Sequence, residues 1–217
     1  MRMALVSIAV GLCVAACGCR RSGQGKIIGS GVAKTEVRAV GDFEEIELRG
    51  QGSIELSFGP PQPLEVTADD NVLPLIKTEL RGRRLVVQID GSIRTEVGVV
   101  LRATIRDIKV VSCEGAASVS LDGLQNEDLL IEVDGVGAVV AFGTTDNLTV
   151  STTGAGLIQA GALQARNVDI TIAGTGSVVT HATEKLKVDI RGAGVVRYSG
   201  DPELQKSVHG LGVVTKE

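Results

Sequence analysis

The chain has 217 residues and almost no aromatic side chains. They make up 2% of it, with no tryptophan and one tyrosine, Tyr198. Few large side chains are therefore left to fill the wide core of a sandwich or a helical bundle. Rings on which single-stranded nucleic acid could stack are also missing, as are the platforms that sugar-cleaving sites commonly use. Proline is scarce, at five residues, and three of these (Pro60, Pro61 and Pro63) crowd together and mark a loop or an edge. Excess charge is lacking too: a formal net charge of −4 gives no electrostatic ground for binding nucleic acid. Of four cysteines, Cys13, Cys17 and Cys19 lie near the N-terminus and only Cys113 lies in the body. That excludes a disulfide framework and any Cys/His set with zinc spacing. No cofactor or metal site is expected. Calcium at Asp122 or Asp134 has no nonapeptide repeat behind it.

There is one long apolar run, Met3 to Ala16, broken only by Ser7 and Gly11. It falls short of the roughly twenty residues of a membrane span. Arg2 precedes it and Val14-Ala15-Ala16-Cys17 closes it, which resembles a bacterial lipobox. Small side chains suit the signal peptidase, and the thiol carries the diacylglycerol. Residues 1–16 are expected to be a lipoprotein signal peptide and Cys17 the lipidated residue. Residues 17–40, rich in Gly, Ser, Lys and Arg, are expected to be a flexible tether, and 41–217 the folded domain. Gly18 follows Cys17, and the absence of Asp there points to the outer membrane, on its periplasmic face or the cell surface.

Glycine is abundant, at 28 residues, and it is periodic. Pairs fall at Gly135/Gly137, Gly154/Gly156, Gly174/Gly176, Gly192/Gly194 and Gly210/Gly212. A fixed period near twenty residues is the signature of a solenoid, in which each coil buries its apolar face on its neighbours. Six, four and two residues before each first glycine stand Leu129, Ile131 and Val133, then Leu148, Val150 and Thr152, Val168, Ile170 and Ile172, and Leu186, Val188 and Ile190. This alternation gives a strand with one apolar face. Four residues after each first glycine is another apolar column: Val139, Ile158, Val178, Val196 and Val214. The glycine pair is thus a corner between strands. A phosphate-binding loop needs a third glycine and a following helix.

The same ruler extends upstream to Gly50/Gly52 and, more loosely, to corners at Asp70, Gly91 and Gly115. It predicts an all-β, single-chain, right-handed parallel β-helix of about nine coils of roughly twenty residues. Irregularity is expected around 58–82 and 94–108, with a short helix or strand between Asn71 and Leu80. Cys113 falls in an inward column beside Val133 and Ile172, as a buried, inert thiol.

Other segments fall in a familiar order. Gly29-Ser30-Gly31, Arg38-Ala39-Val40-Gly41-Asp42-Phe43-Glu44-Glu45-Ile46, Gly50-Gln51-Gly52-Ser53-Ile54 and Val66-Thr67-Ala68-Asp69-Asp70-Asn71 precede Leu85-Val86-Val87 and the glycine repeats. Over residues 29–217 the chain resembles the head GIN domain family. The resemblance implies a single-chain parallel β-helix on a secreted or lipid-anchored bacterial envelope protein. It supplies no catalytic residues to carry over.

Catalysis by paired carboxylates would have to come from Glu132, Asp169 and Asp189. Glu132 and Asp189 share one outward ladder with Ser151, Thr171 and Ser207, while Asp169 lies in the adjacent row, so these groups read as a solvated strand face. His181 and His209 occupy different coil positions. The expected function is a non-catalytic envelope lipoprotein, anchored in the membrane by its N-terminal lipid and displaying a β-surface for adhesion to a protein or glycan. The alternatives are an enzyme acting on polysaccharide and a scaffold associating end to end with its own copies, unless the irregular N-terminal region caps an end.

Overall fold

The computed structural model describes residues 26–217. The signal peptide, Cys17 and the first part of the tether lie outside the described residues. In chain order the strands are β1 (Ile27–Ile28), β2 (Ala33–Arg38), β3 (Glu45–Phe58), β4 (Leu64–Asp69), β5 (Ile76–Arg81), β6 (Arg84–Ile89) and β7 (Ile93–Arg94). They continue with β8 (Val100–Ile105), β9 (Val110–Thr152), β10 (Ala155–Ile172), β11 (Thr175–Ile190), β12 (Ala193–Ser199), β13 (Glu203–Val208) and β14 (Leu211–Lys216). One 3₁₀ turn, Leu73–Leu75, interrupts the all-β order.

From Val110 onward the strands pair in parallel, each segment with the one 17 to 20 residues ahead of it. Gly156 faces Gly137 and Gly176, Gly194 faces Gly176 and Gly212, and Ile170 faces Val150 and Val188. The 43 residues of β9 would run about 140 Å if straight. Instead β9 turns at Gly115, Gly123, Gly135 and Gly143, all with positive φ. The alternating apolar residues form one continuous core: Ile131, Val150, Ile158, Ile170, Ile172, Val178 and Ile190 are all fully or almost fully buried. Each such side chain stabilises the fold by about 1.5–3 kcal/mol.

The two glycines of a pair answer to different constraints. First glycines stack carbonyl to Cα. A Cβ on Gly154 would lie 1.9 Å from the Gly135 oxygen, one on Gly174 2.1 Å from the Gly154 oxygen, and one on Gly192 2.0 Å from the Gly174 oxygen. In this row positive φ accompanies the close approach at Gly115 and Gly135 alone. Second glycines face the core, where a Cβ on Gly137 would meet Val133 at 2.7 Å and one on Gly156 would meet Thr152 at 2.8 Å. A further close approach, unseen in the repeat, occurs on the return side. There a Cβ on Gly143 would sit 2.0 Å from the Leu124 oxygen and one on Gly200 2.0 Å from the Ala182 oxygen.

The N-terminal third departs from sequence order. β3 pairs in parallel with β9 on one side, Gly50 facing Gly115, and with β6 and β8 on the other. The coil formed by residues 84–105 therefore lies outside the coil of β3. The corner expected at Asp70 is not part of the parallel stack. β4 runs antiparallel to β2 and β8, and the segment after it forms the 3₁₀ turn and then β5, an antiparallel hairpin partner of β6 across Gly82. Asn71 to Leu80 thus holds both a turn of helix and a strand. The tether is also shorter than expected: β1 pairs with β7 and β2 with β4, so residues 27–38 belong to the domain. Sequence alternation in Ala33–Arg38 is weak because β2 is a mostly exposed edge strand.

Candidate functional site

The corner that follows the first glycines carries two outward rows. One reads Val136, Ala155, Thr175, Ala193, Leu211 and the other Ala138, Leu157, Ser177, Val195, Val213, each residue facing the next across the parallel register. Neither row contains a charge. Small side chains leave a shallow groove of about 870 Å³ along the first coils, and the segment Thr95–Val100 borders one end. Beyond Ser177 the rows continue as an open apolar stripe. Val136 is 63% exposed and Leu211 84%, with Leu157, Val195 and Val213 also exposed. These apolar side chains are contiguous as well as accessible, unlike the singly scattered ones usual on a protein surface. The signal was legible in the sequence as two charge-free rows, but the glycine pairs beside them drew attention only as corners.

The bordering segment is held by Asp69, which is fully buried. Its carboxylate accepts hydrogen bonds from the Gly31 amide at 2.7 Å, the Thr95 hydroxyl at 2.5 Å and the Val97 amide at 3.4 Å. The Thr95 hydroxyl, together with these amides, holds this carboxyl below the usual range despite the opposing effect of burial. One side chain thereby ties the N-terminal strands to the wall of the groove.

The opposite, polar strand face keeps the predicted outward ladder. Thr171 faces Ser151 and Asp189, Asp189 faces Ser207, and Asp169 lies in the neighbouring row. Each of the two aspartates has a cation: Lys187 reaches Asp169 at 2.8 Å and Arg191 reaches Asp189 at 2.6 Å. The hydrogen bond from Arg191 holds the Asp189 carboxyl below the usual range, whereas a glycosidase general acid needs it raised. Glu132 is exposed on the same ladder. Neither histidine hydrogen-bonds these carboxylates: His181 Nδ1 lies 2.9 Å from the Ser199 hydroxyl, and His209 Nε2 lies 2.9 Å from the Ser207 hydroxyl, with His209 near enough to Asp189 to add to the lowering of its carboxyl. Among the described residues no group of three or more His, Cys, Asp or Glu could hold a metal ion. Cys113 sits in the core opposite Leu48, and burial pushes its thiol up to about 11.

A second hollow, of about 400 Å³, is lined by residues 39–44, 61–63 and 104–107. Its Glu44 is neutralised by Arg83 at 2.6 Å and Lys109 at 3.2 Å. The Asp42-Phe43 segment of the sequence motif is therefore a structural junction, with Phe43 buried in the core.

Residues 42–202 match the family model described as "putative auto-transporter adhesin, head GIN domain". The chain belongs to the head GIN domain family. Solved structures share the fold of this head GIN domain. A putative adhesin from Bacteroides fragilis NCTC 9343 is 25% identical, with a TM-score of 0.69 over 88% of this chain and 98% of that one. A putative lipid binding protein from Parabacteroides distasonis ATCC 8503 is 22% identical, with a TM-score of 0.57 over 88% and 99%. A putative adhesin from Parabacteroides merdae ATCC 43184 is 22% identical, with a TM-score of 0.52 over 88% and 99%. At 22% identity the last two speak for the fold alone. No curated protein matches the chain.

Proposed function

We propose that this head GIN domain is a non-catalytic contact module of the bacterial envelope, carried by lipid on Cys17 at the outer membrane. In this reading its uncharged corner groove engages a protein or a glycan. The observation that carries the proposal is the pair of charge-free outward rows, with exposed Val136, Leu157 and Leu211 along one face of an otherwise ion-paired surface. The family description and the Bacteroides fragilis neighbour support adhesion at an envelope or surface. In fold, the domain is read as a single-chain right-handed parallel β-helix of about nine coils, less the one expected at Asp70. The general right-handedness of parallel crossovers supports that hand.

Photocrosslinking in intact cells tests the contact reading. A crosslinker at position 157 should capture a macromolecular adduct that a crosslinker at Gln205, on the polar face, does not. Equal yields from the two faces, or none from position 157, would reject the groove. Release of reducing ends from a polysaccharide panel would reject the non-catalytic reading. The anchor is tested separately by palmitate labelling, which should disappear in Cys17→Ser.

A further inference from the structure

The outermost coil at the C-terminal side breaks the inward pattern twice. The residue four before each first glycine points into the core: Ile46, Val111, Ile131, Val150, Ile170 and Val188, all buried. In the next coil that position is Lys206, which faces Val188 directly. Six residues after the first glycines the inward column passes through Ala141, Ala160 and Thr180, buried, to Tyr198, which packs against the core. It ends at Lys216, which faces Tyr198. Both lysines are exposed, and Lys216 is ion-paired with Asp201. Lys206 has no ion-pair partner among the described residues.

We infer that residues 203–216 form a terminal cap that excludes a second copy of this chain from the end of the stack. Among the described residues β13 and β14 each pair on one side only, with β11 and β12. Their outer edges offer unpaired backbone groups and the partly buried Leu204 and Val214. Such an edge is a template for another strand, and an inward-pointing charge, lysine above all, is a recognised way to close it. A copy stacked here would have to cover Lys206, which faces the apolar Val188 and has no ion-pair partner among the described residues, and burying an unpaired ammonium costs several kcal/mol, which offsets what an added coil returns.

The other end is closed differently. There β5 pairs with β6, β4 pairs with β8 and β2 pairs with β4, all antiparallel. The irregular N-terminal region thus ends the parallel stack at that side with antiparallel strands, and on the present inference end-to-end association through the C-terminal coil is opposed by two side chains.

Sedimentation velocity of the full chain in mild detergent tests the cap. The wild type should show one sedimentation coefficient across the accessible concentration range. The double variant K206M/K216M keeps the stem volume and loses both charges. It should associate with a dissociation constant at least about tenfold lower, and a cysteine placed at Leu204 should crosslink copy to copy in it. K206R/K216R, which keeps the charges, should remain like the wild type. Concentration-dependent association of the wild type crosslinked through position 204 would overturn the inference. So would a folded K206M/K216M that sediments as the wild type does, or loss of the native circular dichroism in K206M/K216M, since then the charges serve folding rather than exclusion.

Discussion

Replacing Gly154 by alanine separates the close-approach account of the corners from a purely conformational one. Gly154 does not have the positive φ of Gly135, so strain in the backbone angles is not the issue. The added Cβ would stand 1.9 Å from the Gly135 oxygen and 2.7 Å from its nitrogen. Real Cβ contacts essentially never fall below 3.0 Å, so adjacent coils must part locally by at least 1.1 Å. That is nearly a quarter of the ~4.8 Å strand spacing. The bond from the Thr153 amide to the Val133 oxygen, 3.0 Å in the native coil, would then exceed hydrogen-bonding distance. Losing about two ladder bonds at roughly 1 kcal/mol each, with an overpacking cost of about 1–3 kcal/mol, gives a destabilisation of about 3–5 kcal/mol. For a domain of this size the melting temperature should fall by about 10 °C. Gly82→Ala is the comparison. Gly82 has φ +65°, but an added Cβ meets nothing within 4 Å, so only the left-handed penalty of about 1–2 kcal/mol applies. Urea unfolding followed by circular dichroism measures both. If Gly154→Ala costs no more than Gly82→Ala, the stacking argument is wrong.

Three further outcomes are expected. Ile170→Asp should abolish cooperative unfolding rather than merely lower its midpoint, because it places a charge between the buried Val150 and Val188; an intact transition in thermal melts would count against a shared core. Cys113 should resist Ellman's reagent at pH 8 in the native protein and react fully in urea, since its thiol is buried with its pKa raised to about 11; rapid native labelling would contradict this. Asp69 should make the fold acid-sensitive. Its folded pKa is lowered, so its contribution is complete above the unfolded value near 3.9 and is lost as pH falls through the folded pKa. Asp69→Asn should therefore be less stable near neutrality and lose less stability on acidification, as read by urea midpoints from pH 7 down to pH 2. Parallel pH profiles for the two proteins would refute that role.

The repeating part was legible because one glycine ruler fixes the face of every residue. It placed Ile170, Val188 and Cys113 correctly in the core, and Thr171 and Asp189 in one outward ladder. It failed where the period carries no such information. Leu64, Val66 and Ala68 alternate as any half-buried strand does, and alternation does not report whether the neighbour runs parallel or antiparallel, so β4 read as another coil. Pairing of Gly50 with Gly115 across 65 positions is equally invisible to a local pattern. The groove escaped notice for another reason. Ala138, Ser177 and Ala155 are unremarkable singly and become a surface only when coils are laid side by side. Lys206 and Lys216 stand in the sequence as charges at the ends of two inward columns, but their meaning depends on which side of the coil stays open.

The displaced position of β3 has a consequence for how the molecule is made. Glu45–Ser57 finds one neighbour in residues 84–105 and the other in residues 110–122. A chain emerging from its N-terminus therefore cannot complete this layer until a little over half of it is available. Contacts this distant in sequence form slowly. From Leu129 onward each added coil needs only the one before it, so growth can proceed stepwise on a finished base. The early chain should thus remain open while the first coils wait for their partners, and the late chain should zip onto them.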